Sequence, residues 1–146
     1  MEFKIVEDQM LIRLDRGDEI VASLREALKE SGFVSASISG IGGANYAKFG
    51  TMNPRTKTYD FQVKEETMEV ISLSGNYSTL DGAPYLHLHI ALADQKGQVF
   101  GGHLEEATIG VTGEIFCRSG HTPLERRRNE AVGVNEWVLE EGSIVK

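Results

Sequence analysis

The stretch Leu86-His87-Leu88-His89-Ile90-Ala91-Leu92-Ala93-Asp94-Gln95-Lys96-Gly97-Gln98-Val99-Phe100-Gly101-Gly102-His103-Leu104 holds three of the chain's four histidines. It reads as a β-hairpin. His87 and His89 are two residues apart, so on a strand both rings project from one face. Ala91-Leu92-Ala93 continues the strand, and Asp94-Gln95-Lys96-Gly97 turns it. Asp is favoured at the first position of a type I turn and Gly at the fourth. A three-residue loop commonly uses that turn, with a left-handed Gly forming a bulge. With Gln95-Lys96-Gly97 as the loop, Asp94 pairs with Gln98, and His103 falls opposite His89 on the same face. A two-residue loop would carry His103 to the other face, so the expected three-histidine cluster depends on this register.

Three clustered imidazoles suit zinc or another divalent first-row metal, with bonds of about 2.0–2.1 Å. Three histidine ligands leave a fourth position open for water or substrate, the pattern of catalytic zinc. His87, His89 and His103 are therefore the candidate metal ligands. Gly101-Gly102, just before His103, allows close backbone approach. The same residues could equally be two histidines on the polar face of a strand with a third one nearby.

The composition bounds the function. At 146 residues, with 40% hydrophobic and 25% charged residues, the chain is expected to form one domain, 1–146, with a substantial core. No run of about 18 apolar residues suggests a membrane span, and Met1-Glu2-Phe3-Lys4 lacks the pattern of a signal peptide. The single cysteine, Cys117, excludes an internal disulfide and fits a reducing cytoplasmic setting; it lies in an apolar stretch and reads as packed. The net charge of −7 argues against a phosphate-backbone partner, although a local patch could still bind DNA. The one dense basic cluster, Arg126-Arg127-Arg128, is flanked by Glu125 and Glu130 and reads as a solvated face or a subunit contact.

One helix is expected, from about Asp18 to Ser31, capped by Asp18 or Gly17. Ile20, Val21, Leu24, Ala27 and Leu28 form its buried face, and Gly32 stops it. Strands are expected over Met10–Leu14, Val34–Ile41, Ala44–Met52, Thr58–Val63, Met68–Ser74 and Ala107–Cys117. Gly42-Gly43 is read as a break, and Gly110 and Gly113 as interruptions. Short segments around Leu124–Asn129 and Trp137–Leu139 end the chain. The expected class is α+β, with a bent, mainly antiparallel sheet and one main helix.

Taken in order, several pieces resemble the plants and prokaryotes conserved (PPC) domain family in its stand-alone prokaryotic form. They are Arg13-Leu14-Asp15-Arg16-Gly17-Asp18, Ile38-Ser39-Gly40-Ile41-Gly42, Glu69-Val70-Ile71-Ser72-Leu73-Ser74-Gly75-Asn76, His87-Leu88-His89, Gly101-Gly102-His103-Leu104 and Glu125-Arg126. The resemblance implies a fold related to acetolactate decarboxylase, a zinc enzyme with three histidine ligands. It implies a homotrimer, and a zinc role for His87, His89 and His103. The family also carries a DNA-binding label. Its plant members place AT-hook segments before the domain, and this chain has no Arg-Gly-Arg-Pro core.

Two further side chains are candidates beside the metal. Arg13, at a strand end, could hold a small carboxylate ligand near it or simply pair with a neighbouring acid. Glu69, in an otherwise apolar strand, could orient a metal-bound histidine, act as a base, or face outward. Strict alternation would place Val70 and Ser72 on one face, and Glu69, Ile71 and Leu73 on the other. Gly40-Ile41-Gly42-Gly43 lacks the Lys-Ser/Thr of a phosphate loop. His121 reads as a solvated loop residue. Tyr85 and Trp137 could line a pocket or sit in the core. Two functions follow: a metal centre with metal-assisted chemistry on a small carboxylate, without a nameable acid–base partner, or a non-enzymatic DNA-associated or protein-interaction module.

Overall fold

The computed structural model describes residues 1–139. Among them run nine strands and one helix in the order β1 (Glu2–Val6), β2 (Gln9–Asp15), α1 (Ile20–Ser31), β3 (Ala36–Asn53), β4 (Thr58–Lys64), β5 (Met68–Leu80), β6 (Ala83–Ala93), β7 (Val99–Ser119), β8 (Glu125–Asn129) and β9 (Val134–Trp137). All nine strands belong to one sheet. Every pairing is antiparallel except β5 with β8. The α+β class with one helix and a bent, mainly antiparallel sheet is what forms.

The bend closes part of the sheet on itself. β7 pairs with β3, β3 with β5, β5 with β6, and β6 again with β7. The inward positions of this ring carry Phe49, Val70, Leu73, Leu88, Ile90, Leu92, Leu104 and Ile109, all buried. Each such side chain contributes about 1.5–3 kcal/mol by leaving water. Helix α1 covers β7, β6 and β2 with Ile20, Leu24, Ala27 and Leu28. Cys117 is buried in this core, and burial pushes its thiol up to about 12, as expected of a packed residue.

The structure corrects several boundaries. The helix cap is Glu19, rather than Asp18 or Gly17: its carboxylate accepts from Val21 N at 3.0 Å, Ala22 N at 2.6 Å and, across to β7, Ala107 N at 3.0 Å. Asp18 is engaged elsewhere, accepting from Asp15 N at 2.8 Å. Gly32, at φ 74°, ends the helix as expected. Gly42-Gly43 does not break β3. The strand continues, its register shifts there against both neighbours, and β7 comes so close that a Cβ on Gly42 would overlap the Thr112 carbonyl. Likewise β7 runs unbroken through Gly110 and Gly113. A bulge between Val70 and Ser72 breaks the alternation in β5, so Val70 and Leu73 both point inward while Glu69 and Ile71 are exposed. β1 was not anticipated.

Candidate metal centre and adjoining cavity

The β6–β7 hairpin turns as its residues dictate. Gly97 N donates to Asp94 O at 3.0 Å and Asp94 N to Gln98 O at 3.1 Å. The Asp94 carboxylate accepts from Lys96 N at 2.8 Å and Gln98 N at 2.9 Å. Gly97 adopts φ 76°, the left-handed conformation a loop of three residues requires. The register that follows pairs His89 with His103. His87 lies two residues along β6, on the same face.

The three rings converge. Their centroids are separated by 5.2 Å (His87–His89), 5.3 Å (His87–His103) and 5.7 Å (His89–His103). One nitrogen from each lies within 4.8 Å of the other two. Glycines hold the backbones close enough for this: a Cβ on Gly75 of β5 would overlap the His87 carbonyl, and one on Gly101 of β7 the Ile90 carbonyl. Tyr59 from β4 stacks on His103, with centroids 4.3 Å apart and ring planes 24° apart.

The surroundings keep the rings neutral. Burial lowers His87 from 6.5 to about 4, and the nearby Arg126 guanidinium and the other two imidazoles add to the shift. Burial, then His89, lowers His103. At neutral pH both rings are uncharged, the form that binds metal. His103 Nδ1 is buried without a hydrogen-bond partner, and an orphaned nitrogen of this kind costs about 1–3 kcal/mol. A metal bond at that nitrogen would remove the deficit, so the residues present fit a divalent first-row ion.

A cavity of about 380 Å³ opens beside His87, lined among others by Tyr59, Asn76, Tyr85, Arg126 and Trp137. Arg126 is its unexpected member. It is only 7% exposed, although the basic run containing it reads as a solvated face. Parallel pairing of Leu80 with Arg126 hangs the β8–β9 hairpin on the end of β5. Arg126 then donates to Ser78 Oγ at 2.8 Å, Asn76 Oδ1 at 2.7 Å and Asn135 O at 2.6 Å. Its guanidinium lies 5.0 Å from the Tyr85 ring centre and 5.6 Å from that of Trp137. Asn76 faces His87 across the β5–β6 ladder. The available signals in the sequence were Arg126 in the Glu125-Arg126 motif and the two aromatics, Tyr85 and Trp137.

Arg13 and Glu69 are not brought to the histidines. Arg13 is 53% exposed and pairs with Glu2 at 3.0 Å and Asp15 at 3.2 Å. Its partner on β7 is Glu114, eleven residues from His103. Glu69 is exposed and pairs with Ala93, four residues from His89, or about 13 Å of strand. His121 stands on an exposed loop.

The comparisons agree with this architecture. A protein of known structure from Bacteroides thetaiotaomicron, described as a candidate DNA-binding protein, matches with 31% identity and a TM-score of 0.90 over 94% of this chain and 96% of its own. A metal-containing protein from Archaeoglobus fulgidus matches with 33% identity and a TM-score of 0.83 over 94% and 97%. A Staphylococcus aureus protein similar to α-acetolactate decarboxylase, at 12% identity and a TM-score of 0.55 over 79% of this chain and 53% of its own, shares the fold alone. Among curated proteins, the bifunctional protein GlmU of Synechococcus sp. (strain JA-3-3Ab) is 33% identical over 128 residues, 86% of this chain. The chain spans only 19% of that relative's length. The profile of the Plants and Prokaryotes Conserved (PCC) domain, the family abbreviated PPC above, matches residues 1–120. The chain belongs to the plants and prokaryotes conserved domain family.

Proposed function

We propose that this chain is a metal-binding protein in which His87, His89 and His103 hold one zinc ion or a similar divalent first-row ion, and that metal-assisted chemistry on a small carboxylate takes place beside it. The observation that carries the reading is the convergence of three imidazoles, one nitrogen of each within 4.8 Å of the other two; the buried His103 Nδ1 without a hydrogen-bond partner supports it. The metal-containing relative from Archaeoglobus fulgidus supports it. Zinc held by three neutral imidazoles supplies a Lewis acid with an open position. The chain's own contribution is the strand register that gathers the rings, the stacking of Tyr59 on His103, and a cavity that admits a ligand next to His87.

The test is elemental analysis of protein purified without chelators and challenged with zinc. About one ion per chain is expected, with loss in His87→Ala and in His103→Ala. Wild type that stays metal-free after the challenge overturns the reading. Self-association into a trimer is part of the proposal. It is supported by the exposed Ile41, Ile71, Val111 and Phe116 on the outer face of the sheet; light scattering on the same preparations would refute it by returning a monomer mass.

A DNA-associated role is the second reading, favoured by the description of the Bacteroides thetaiotaomicron relative. The placement of Arg126 weakens it. With that side chain buried, the basic run offers only Arg127 and Arg128 to solvent, on a chain of net charge −7. Among the described residues, no helix is long and apolar enough to cross a membrane.

A further inference from the structure

We propose that Arg126 is the docking residue for the carboxylate of a small, singly charged ligand bound in the cavity beside His87. The inference deepens the metal-centre reading and rests on it for the ligand's second anchor.

The case begins with an unbalanced charge. Arg126 is 7% exposed, yet all three of its hydrogen-bond acceptors are neutral: a serine hydroxyl, an asparagine side-chain oxygen and a backbone carbonyl. Among the described residues it enters no ion pair. A buried charge without a counter-charge is destabilising. The faces of Tyr85 and Trp137 offset part of that cost without supplying a negative charge. Two other charged side chains line the cavity: Glu136, exposed, accepts from the Asn129 amide at 3.0 Å, and Arg128 lies 3.7 Å from Glu130.

The remaining valences point to the ligand. Guanidinium carries five N–H groups. Three are used, one on each nitrogen, which leaves one N–H on each terminal nitrogen of a residue that lines the cavity. A carboxylate accepts such donors and supplies the missing negative charge. The cavity, at about 380 Å³, is near the small end of ligand pockets. His87 lines the same cavity, so one ligand can touch both Arg126 and this member of the histidine cluster. Were Arg126 only a strap for the β8–β9 hairpin, with no room for a ligand at its free N–H groups, lactate would bind no better than lactamide, and the test turns on that difference.

The experiment is calorimetric titration of zinc-loaded wild type with acetate, lactate and benzoate. Lactamide is the uncharged control and inorganic phosphate the competing anion. Asn76→Asp is the main variant: it sets a carboxylate beside the terminal nitrogen that Asn76 now contacts at 2.7 Å, supplying an internal counter-charge with almost no change in shape. Arg126→Gln is the second variant. At least one carboxylate is expected to bind, with lactamide weaker than lactate and the preferred carboxylate weaker on Asn76→Asp, each by roughly tenfold or more. Circular dichroism of Asn76→Asp should match wild type.

The assignment is overturned if none of the three carboxylates binds below about 10 mM, if Asn76→Asp binds them as wild type does, or if phosphate binds more tightly. A repeat on EDTA-treated protein separates the two readings. Carboxylate binding that persists without zinc and disappears in Asn76→Asp supports Arg126 whatever becomes of the metal. Stoichiometric zinc with no carboxylate binding removes Arg126 and leaves the metal centre standing.

Discussion

Replacing His103 by Phe should change stability with opposite sign in the metal-free and metal-loaded protein. The phenyl ring keeps the stacking against Tyr59, where the imidazole now lies 4.3 Å away at 24°. It removes the buried Nδ1 that lacks a partner, a relief of about 1–3 kcal/mol. The larger ring costs up to about 1 kcal/mol in crowding, since His103 is only half-buried and not sealed in the core. The metal-free variant is therefore expected to exceed metal-free wild type by about 1–2 kcal/mol, or roughly 3–8 °C in Tm for a chain of this length. Zinc reverses the order. Wild type gains RT ln(1 + [Zn]/Kd), about 4 kcal/mol at a thousandfold excess over Kd, whereas the variant has lost a ligand. The assay is thermal unfolding of both proteins in EDTA and in excess zinc. A metal-free His103→Phe protein that melts below metal-free wild type would show that Nδ1 is satisfied, and the argument for a metal at that nitrogen would fail.

Two further outcomes follow from the same geometry. In EDTA-treated protein His87 should remain neutral to about pH 4. The unfolded chain takes up that proton near 6.5, so the metal-free fold should lose stability as pH falls from 6.5 towards 4, with no contribution from this group above that window; a His87 ring seen by NMR to titrate above pH 6 contradicts this. Gly101→Ala should cost about 3 kcal/mol or more, because its Cβ meets the Ile90 carbonyl, whereas Gly97→Ala, with open space and φ 76°, should cost about 1–2 kcal/mol from backbone strain alone. Urea titrations that rank the two substitutions the other way would refute the hairpin register.

The residues that spoke for themselves were those whose role is set within a few positions along the chain. The hairpin turn was legible because Asp94 and Gly97 each make a local bond that only one loop length permits. The helix was legible because its apolar stripe and Gly32 are local. Its start was not, because Glu19 caps by bonding across to β7 as well as to its own first turn. β1 escaped because four of its five residues are exposed and its alternation is not read by burial. Gly42, Gly43 and Gly110 looked like chain breaks. They are the places where β3 and β7 press together: added Cβ atoms would meet Thr112, Val111 and Asn45.

Arg126 shows the same limit at the functional level. A triple arginine run between acids gives a one-dimensional picture of a wet surface, and two of its three members conform to it. The third differs because β8 is the one strand that pairs in parallel, and it does so over two residue pairs, Thr79 with Glu125 and Leu80 with Arg126. That short contact places the guanidinium over Ser78 and Asn76, on the face that also carries His87. Arg13 carried the sequence-based expectation of a carboxylate partner near the metal, and it sits at the far end of β7 among acids of its own. The chemistry expected there was an arginine able to meet a carboxylate near an imidazole cluster. The arginine that the fold brings to the cavity beside His87 is Arg126, 23 residues beyond the last of the three clustered histidines, through a pairing that no local pattern encodes.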